Sequence, residues 1–186
     1  MPQKAPALKV SKDLTKRLQS LKAIVTDVDG VLTDGRIIYS GNGDEIKEFN
    51  VRDGMIVGHL KRAGLVVGII SGRESAAVTR RGVELKLDFC HQGIEDKSWA
   101  VAQIMKHHGL KAKEIAFLGD DINDLVVFDL VGFRVCPSDA PLYIKERADL
   151  VTEAAGGKGV LREFGDLWLM ATGKLDKVLK GSKKKD

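Results

Sequence analysis

Two rhythms of apolar and polar positions run along this chain. Short, mostly apolar runs recur at residues 23–25, 66–70, 87–90, 115–118, 132–136 and 150–151. Runs of this length, rich in Val and Ile and bounded by Gly, Ser or Asp, read as buried strands. Between them lie stretches with apolar residues at helical spacing, which predict helices at about 55–63, 75–85, 96–108, 122–130, 141–148 and 160–172. A short helix opens the chain, capped from Ser11-Lys12-Asp13 with Leu14, Leu18 and Leu21 on one face, and residues 174–179 form another near its end. Gly64 and Gly109 stand where two of these helices should stop. Strands alternating with helices predict an α/β fold, a parallel sheet with helices on both faces. One segment breaks the alternation. Two strand-like runs flank Gly41-Asn42-Gly43-Asp44, predicting a β-hairpin at about 36–51. The chain thus divides into an N-terminal arm and helix (1–22), one domain carrying the hairpin (23–174) and a basic tail (175–186).

Composition narrows the class. The chain has 186 residues, 44% hydrophobic and 30% charged, enough for one globular domain with a sizeable core. Its net charge of +4 comes from the ends. Residues 1–22 hold six Lys/Arg against one Asp, residues 181–186 hold three Lys against one Asp, and the body between them carries −3. With aromatics at 5% and no basic face, a nucleic-acid partner is not expected. No apolar run approaches the ~20 residues of a membrane span, so no membrane partner is expected. The N-terminal lysines precede no apolar signal region, and Cys90 and Cys136 form no Cys-x-x-Cys motif. Both features point to a reducing cytoplasm. No glycine-rich nucleotide motif follows a strand.

The chemistry gathers at the predicted strand ends. Asp27 and Asp29 follow the first run, Ser71 ends the second major run, and Gly119-Asp120-Asp121 with Asp124 follows a later one. Lys97 opens an intervening helix. In a parallel sheet the carboxyl ends share one edge, where ligands bind. Two carboxylates one residue apart repel unless a cation or proton joins them. An EF-hand loop fits poorly, because its required Gly and Glu positions hold Leu32 and Ile38. Taken singly, each residue has an ordinary reading: Asp27 and Asp29 in a solvated turn, Asp120 and Asp121 as helix caps, Ser71 in a turn, Lys97 on a wet helix face. Their joint order favours phosphoryl transfer. A carboxylate can attack phosphorus, and a divalent cation screens that meeting of anions. Asp27 and Asp120 would hold Mg²⁺, a hard ion that prefers oxygen, while Ser71 and Lys97 would hold the other phosphate oxygens.

These residues resemble the haloacid dehalogenase superfamily of phosphohydrolases. Asp27-Val28-Asp29-Gly30-Val31-Leu32-Thr33 matches its first motif, Ser71 the second, Lys97 the third, and Gly119 to Asp124 the acidic fourth. The resemblance implies that Asp27 is the nucleophile and Asp29 the acid/base, whose backbone carbonyl also binds Mg²⁺. It implies Asp120 as the third metal ligand, with Asp121 and Asp124 supporting. About 40 residues separate Asp29 from Ser71 and about 25 separate Ser71 from Lys97, too few for a cap domain of at least ~50. The expected fold is therefore a capless, Rossmann-like member with a hairpin insertion.

Further stretches, at residues 47–54, 71–73, 92–97 and 155–163, resemble the superfamily's capless sugar-acid phosphatases. That likeness implies an acidic eight-carbon keto-sugar phosphate as substrate, in the supply of a lipopolysaccharide precursor. It implies substrate contacts from Asn50, Val51, Arg52, Asp53, Gly54, Arg73, Arg81 and Lys97, with Mg²⁺ as cofactor. It also implies a homotetramer, and a lone hairpin is marginal unless it packs on something. Arg73 directly after Ser71-Gly72, and Arg52 at the hairpin's foot, are placed at the rim to pair with a substrate carboxylate. A nine-carbon sialic-type substrate and a non-catalytic oligomerisation module are the alternatives. Ser71 stands where these relatives commonly have Thr, and Lys158 where they commonly have Arg.

Overall fold

The computed structural model describes residues 12–181, so the expected cap at Ser11, the preceding arm and the last lysines lie outside it. The chain runs α1 (Lys12–Ser20), β1 (Ala23–Thr26), β2 (Ile38–Tyr39), β3 (Glu45–Ile46), α2 (Val51–Arg62), β4 (Val66–Ile70), α3 (Ala76–Leu85) and β5 (Phe89–His91). It continues through α4 (Lys97–His108), β6 (Ile115–Leu118), α5 (Leu125–Phe128), β7 (Phe133–Cys136), α6 (Leu142–Lys145), β8 (Leu150–Val151), α7 (Val160–Ala171) and α8 (Leu175–Gly181).

The six apolar runs make one sheet in the order β5-β4-β1-β6-β7-β8, every pair parallel. β1 lies between β4 and β6, with Ala23 opposite Val66 on one side and Ile115 on the other. Every residue of β1 and of β6 is buried, which is why both read as unbroken apolar runs. From β1 the chain steps outward to β4 and β5, then returns to β6 on the other side. The order reverses beside β1, and a crevice opens there at the strands' carboxyl ends.

Each face of the sheet has its own core. Leu18 of α1, Val57 and Leu60 of α2, and Phe164 and Trp168 of α7 pack with Ile24 and Val67. Ala100 and Ile104 of α4, Phe128 of α5 and Ile144 of α6 pack with Val25 and Phe117. Each buried Val, Leu, Ile or Phe among them contributes about 1.5–3 kcal/mol. The close approach of α2 to α7 uses Gly165, where a Cβ would press into the Ile56 side chain.

Several boundaries differ from expectation, and three of them lie near the crevice. The helix expected from residue 55 begins at Val51, because Asn50 caps it, its Oδ1 accepting from the Arg52 N–H at 2.9 Å. The hairpin is correspondingly shorter than 36–51, with two-residue strands pairing Ile38 with Ile46 and Tyr39 with Glu45. The helix expected at 122–130 is a 3-10 turn, Ile122–Asp124, followed by α5. Asp124 spends its carboxylate on the loop before it, which tightens this first turn.

Candidate active site

β1 ends by presenting Asp27. Its amide is still in the ladder, donating to Leu118 O at 2.8 Å, while its side chain enters the crevice almost fully buried. Lys97, at the first position of α4, reaches in from the opposite wall. Its Nζ lies 3.0 Å from Asp27 Oδ2 and 2.6 Å from Asp124 Oδ1, and its side chain is only 2% exposed. The reading of Lys97 as a wet surface lysine therefore fails. Asp124 accepts from the Asp120 amide at 2.9 Å and the Asp121 amide at 3.4 Å, so one buried carboxylate fixes both the ammonium and the loop after β6. Gly119 makes room for it, since a Cβ there would overlap the Asp124 side chain. Asp121 points outward and caps the following turn, its Oδ1 taking the Ile122 N–H at 2.7 Å.

Three carboxylates facing one ammonium leave an excess of negative charge. Burial, reinforced by Asp124, raises the Asp27 pKa to about 7 although Lys97 opposes it. Burial, with Asp124, Asp27 and Asp121 nearby, raises Asp120 to about 8. Asp120 Oδ1 is buried without a hydrogen-bond partner. Oxygens of Asp27, Asp120 and Asp124 lie within 4.8 Å of one another. An orphaned buried oxygen inside an over-charged oxygen cluster fits a hard divalent cation. Asp124 is already engaged by Lys97 and two amides, which leaves Asp27 and Asp120 as the side chains free to hold one.

A cleft of about 510 Å³ opens over this cluster, lined by Asp27, Asp29, Ser71, Arg73, Asp120 and Asn123 among others. Ser71 is buried at its wall, its amide held by His91 O at 2.8 Å. Beside the cleft, the hairpin folds back onto the loops after β1 and β4. Lys47 binds Asp29 Oδ1, and Glu45 accepts from Arg73 Nη2 at 2.8 Å. Sequence reasoning missed Lys47, although it sits inside a stretch, 47–54, that it singled out. Its local pattern, Glu45-Ile46-Lys47-Glu48, is that of a solvated strand.

The remaining expected substrate contacts do not line this cleft. Besides capping α2, Asn50 donates from Nδ2 to Gly157 O at 3.3 Å. Val51 and Arg52 are exposed on the first turn of α2. Asp53 is buried and takes the Arg162 amide at 2.7 Å, anchoring the start of α7; burial raises its pKa to about 6. Gly54 faces the guanidinium of Arg81, which lies 5.9 Å from the Phe49 ring centre and pairs with Glu84 at 3.3 Å. The glycine-rich loop of residues 155–159 braces the loop carrying Asp29. Gly157 donates to Val31 O at 3.0 Å, and a Cβ on Gly156 would overlap Gly30 O. Lys158 is exposed beside Asp34, Glu48 and Asn50.

Comparisons with known proteins agree with this geometry. A family profile for haloacid dehalogenase-like hydrolases matches residues 80–164. The chain is 40% identical over 161 residues to the 3-deoxy-D-manno-octulosonate 8-phosphate phosphatase KdsC of Haemophilus influenzae, covering 87% of this chain and 89% of that one. It is 38% identical to the KdsC of Escherichia coli K12, covering 91% and 90%. The crystal structure of the Moraxella catarrhalis phosphatase of the same name, in complex with magnesium ion, phosphate ion and a KDO molecule, superposes with a TM-score of 0.88 at 34% identity, covering 92% of this chain and 98% of that one. Such identity, sustained over nearly the whole length on both sides, means that the chain belongs to the 3-deoxy-D-manno-octulosonate 8-phosphate phosphatase family of the haloacid dehalogenase-like hydrolases.

Proposed function

We propose that this chain hydrolyses 3-deoxy-D-manno-octulosonate 8-phosphate to the free sugar acid and inorganic phosphate, a step in lipopolysaccharide precursor synthesis, with Mg²⁺ as cofactor. The observation that carries the reading is Asp27 lining a cleft over the acidic cluster, with Lys97 and Asp120 beside it and an arginine, Arg73, at the cleft's wall. Asp27 attacks phosphorus; its oxygen forms a bond to the phosphoryl group while the bond to the sugar oxygen breaks. Asp29 gives that leaving oxygen a proton, then takes one from the water that releases phosphate from Asp27. Ser71 and Lys97 hold phosphoryl oxygens and orient Asp27. Asp27, Asp120 and the Asp29 carbonyl would hold Mg²⁺, which when bound offsets the repulsion between nucleophile and phosphate. Asp121 and Asp124 keep the Asp120 loop in place.

The assembly belongs to the same reading. Among the described residues the site has no cap domain, and Ile37, Tyr39 and Ile46 of the hairpin are exposed, as are Val51 and Met55 of α2. Covering that apolar surface with further copies supports a homotetramer, with the cytoplasm as its compartment. Among the described residues no helix is long and apolar enough to cross a membrane.

Phosphate release measured over a panel of sugar phosphates with Mg²⁺ tests the function. The eight-carbon sugar acid should lead, and Asp27→Asn should abolish turnover while preserving the fold. Substantial phosphate release by the purified variant would remove the nucleophile assignment. Light scattering should give about four times the 20.3 kDa chain mass; an active monomer would remove the tetramer.

A further inference from the structure

Lys47 is one of the least exposed lysines in the molecule, with a side chain only 1% exposed. An ammonium buried to that degree needs partners, because desolvation costs several kcal/mol. It has two. One is Asp29 Oδ1, and the other is Glu45, whose Oε1 lies 3.4 Å away. The same Glu45 oxygen takes Arg73 Nη2 at 2.8 Å, and Arg73 Nε lies 3.9 Å from Asp29 Oδ2. Two cations and two carboxylates thus close a ring that joins the hairpin, the loop after β1 and the loop after β4. Lys97, the lysine that the sequence pointed to, pairs instead with Asp27 and Asp124 on the far side of the site.

The ring bears on the one residue of the site that must move protons. An acid/base carboxylate has to be held within about 0.5 Å of its productive position. Asp29 stands on a loop, half-buried, where several rotamers are open to it. Asp29 lines the cleft, and with Oδ1 engaged by Lys47 and Oδ2 no nearer than 3.9 Å to Arg73 Nε, Oδ2 is the less tightly held oxygen and the one able to exchange a proton. We propose that Lys47 is the positioning residue for Asp29: the hairpin delivers its ammonium to Oδ1 and locks the carboxylate in its working rotamer, so that docking the hairpin and assembling the acid/base are one event. The inference rests on the reading of Asp29 as the acid/base.

Pre-steady-state kinetics of the full chain with Mg²⁺ and 4-nitrophenyl phosphate separate the two half-reactions. In the first, Asp27 takes the phosphoryl group and nitrophenolate leaves as an anion that needs no proton. In the second, water attacks phosphorus, gives its proton to Asp29 and frees phosphate. Lys47→Met should therefore keep a rapid burst near one nitrophenolate per active chain, while the following steady state falls roughly 10–100-fold, the loss expected from a misplaced catalytic group. Asp29→Asn should show the same signature more strongly, and Lys47→Arg should restore turnover to within a few-fold. Burst amplitude counts working sites, so a partly unfolded preparation still answers the question. Lys47→Met with wild-type turnover per working site would overturn the proposal. So would a burst rate and a steady state that fall by one common factor, since that marks Lys47 as a pin for the fold. Asp29→Asn with an unimpaired steady state would instead overturn the acid/base reading beneath it.

Discussion

Lys97 and Asp124 form an ion pair of 2.6 Å in which the two side chains are 2% and 0% exposed. Neither group meets solvent, and each does a second job: Lys97 holds Asp27, and Asp124 holds the amides of Asp120 and Asp121. Burial alone would pull the Lys97 ammonium down, yet Asp27 and Asp124 hold its pKa above the ordinary lysine value. The pair therefore links Asp27 to the loop that carries Asp120.

Removing the ammonium should break both. Lys97→Met keeps much of the side chain's volume and leaves Asp124 buried without a counter-ion. Breaking a buried pair on one side costs about 3–5 kcal/mol. We expect a loss of that size in urea unfolding with EDTA present, together with loss of turnover. A loss below about 1 kcal/mol, the worth of an exposed pair, would mean that the site does not depend on it.

The carboxylate cluster predicts a pH-dependent response to metal. Without metal, burial lifts Asp27 to about 7 and Asp120 to about 8, against about 3.8 for either in the unfolded chain. A folded pKa above the unfolded one means that the folded state holds its proton more tightly. That contribution to stability is complete below the unfolded value and is lost as pH rises through the folded values. Metal-free protein should thus weaken as pH rises from 5 toward 8, by on the order of 1 kcal/mol per pH unit for each group until its folded value is passed. Mg²⁺ supplies the missing positive charge, so the rise in Tm on going from EDTA to saturating Mg²⁺ should be larger at pH 8 than at pH 5.5. Equal shifts at both would show that Asp27 and Asp120 are ionised throughout.

What the sequence disclosed and what it hid have physical reasons. That Asp27, Ser71 and Asp120 gather at one place was legible because they follow directly on β1, β4 and β6, short apolar runs whose ends the parallel topology puts on one edge. Lys97 was legible by its place at the start of α4, though not its burial, which depends on Asp124 arriving from 27 residues away. Lys47 was illegible. Its partner lies 18 residues back, and nothing local distinguishes it from a solvated hairpin lysine. At Asn50 the cue was local and went unread: its side-chain cap starts α2 at Val51 and cuts the hairpin short.

The glycine-rich loop of residues 155–159 offers a test remote from the chemistry. A Cβ on Gly156 would meet Gly30 O and Thr33 O, both backbone atoms of the loop that carries Asp29 and unable to step aside cheaply. Gly30 in turn lies against the Asp120 carboxylate. Gly156→Ala should therefore destabilise the chain by about 1–3 kcal/mol, as overpacking does, and should also lower kcat and weaken the response to Mg²⁺. Thermal denaturation and a Mg²⁺ titration of activity check this. An unchanged Tm with full activity would show that the first loop is not braced from behind.

Arg73 gives the test of substrate choice. Its side chain is 45% exposed at the cleft's rim, and its present partner is a carboxylate, Glu45, at 2.8 Å. Glu45 is held below the usual carboxylate range chiefly by this bond. The rim arginine thus already binds the functional group that distinguishes a sugar acid from a neutral sugar. A substrate carboxylate can exchange with Glu45 for the guanidinium fork, whereas glucose 6-phosphate has nothing to offer in that exchange. Arg73→Ala should cut kcat/KM for 3-deoxy-D-manno-octulosonate 8-phosphate by roughly 1.5–3 kcal/mol, the worth of a charged hydrogen bond. It should barely change kcat/KM for 4-nitrophenyl phosphate, which lacks the carboxylate and leaves Lys47 on Asp29 undisturbed. The ratio of the two losses is the measurement. An equal fall on both substrates would assign Arg73 to holding the hairpin ring together and would remove the structural argument for an acidic sugar.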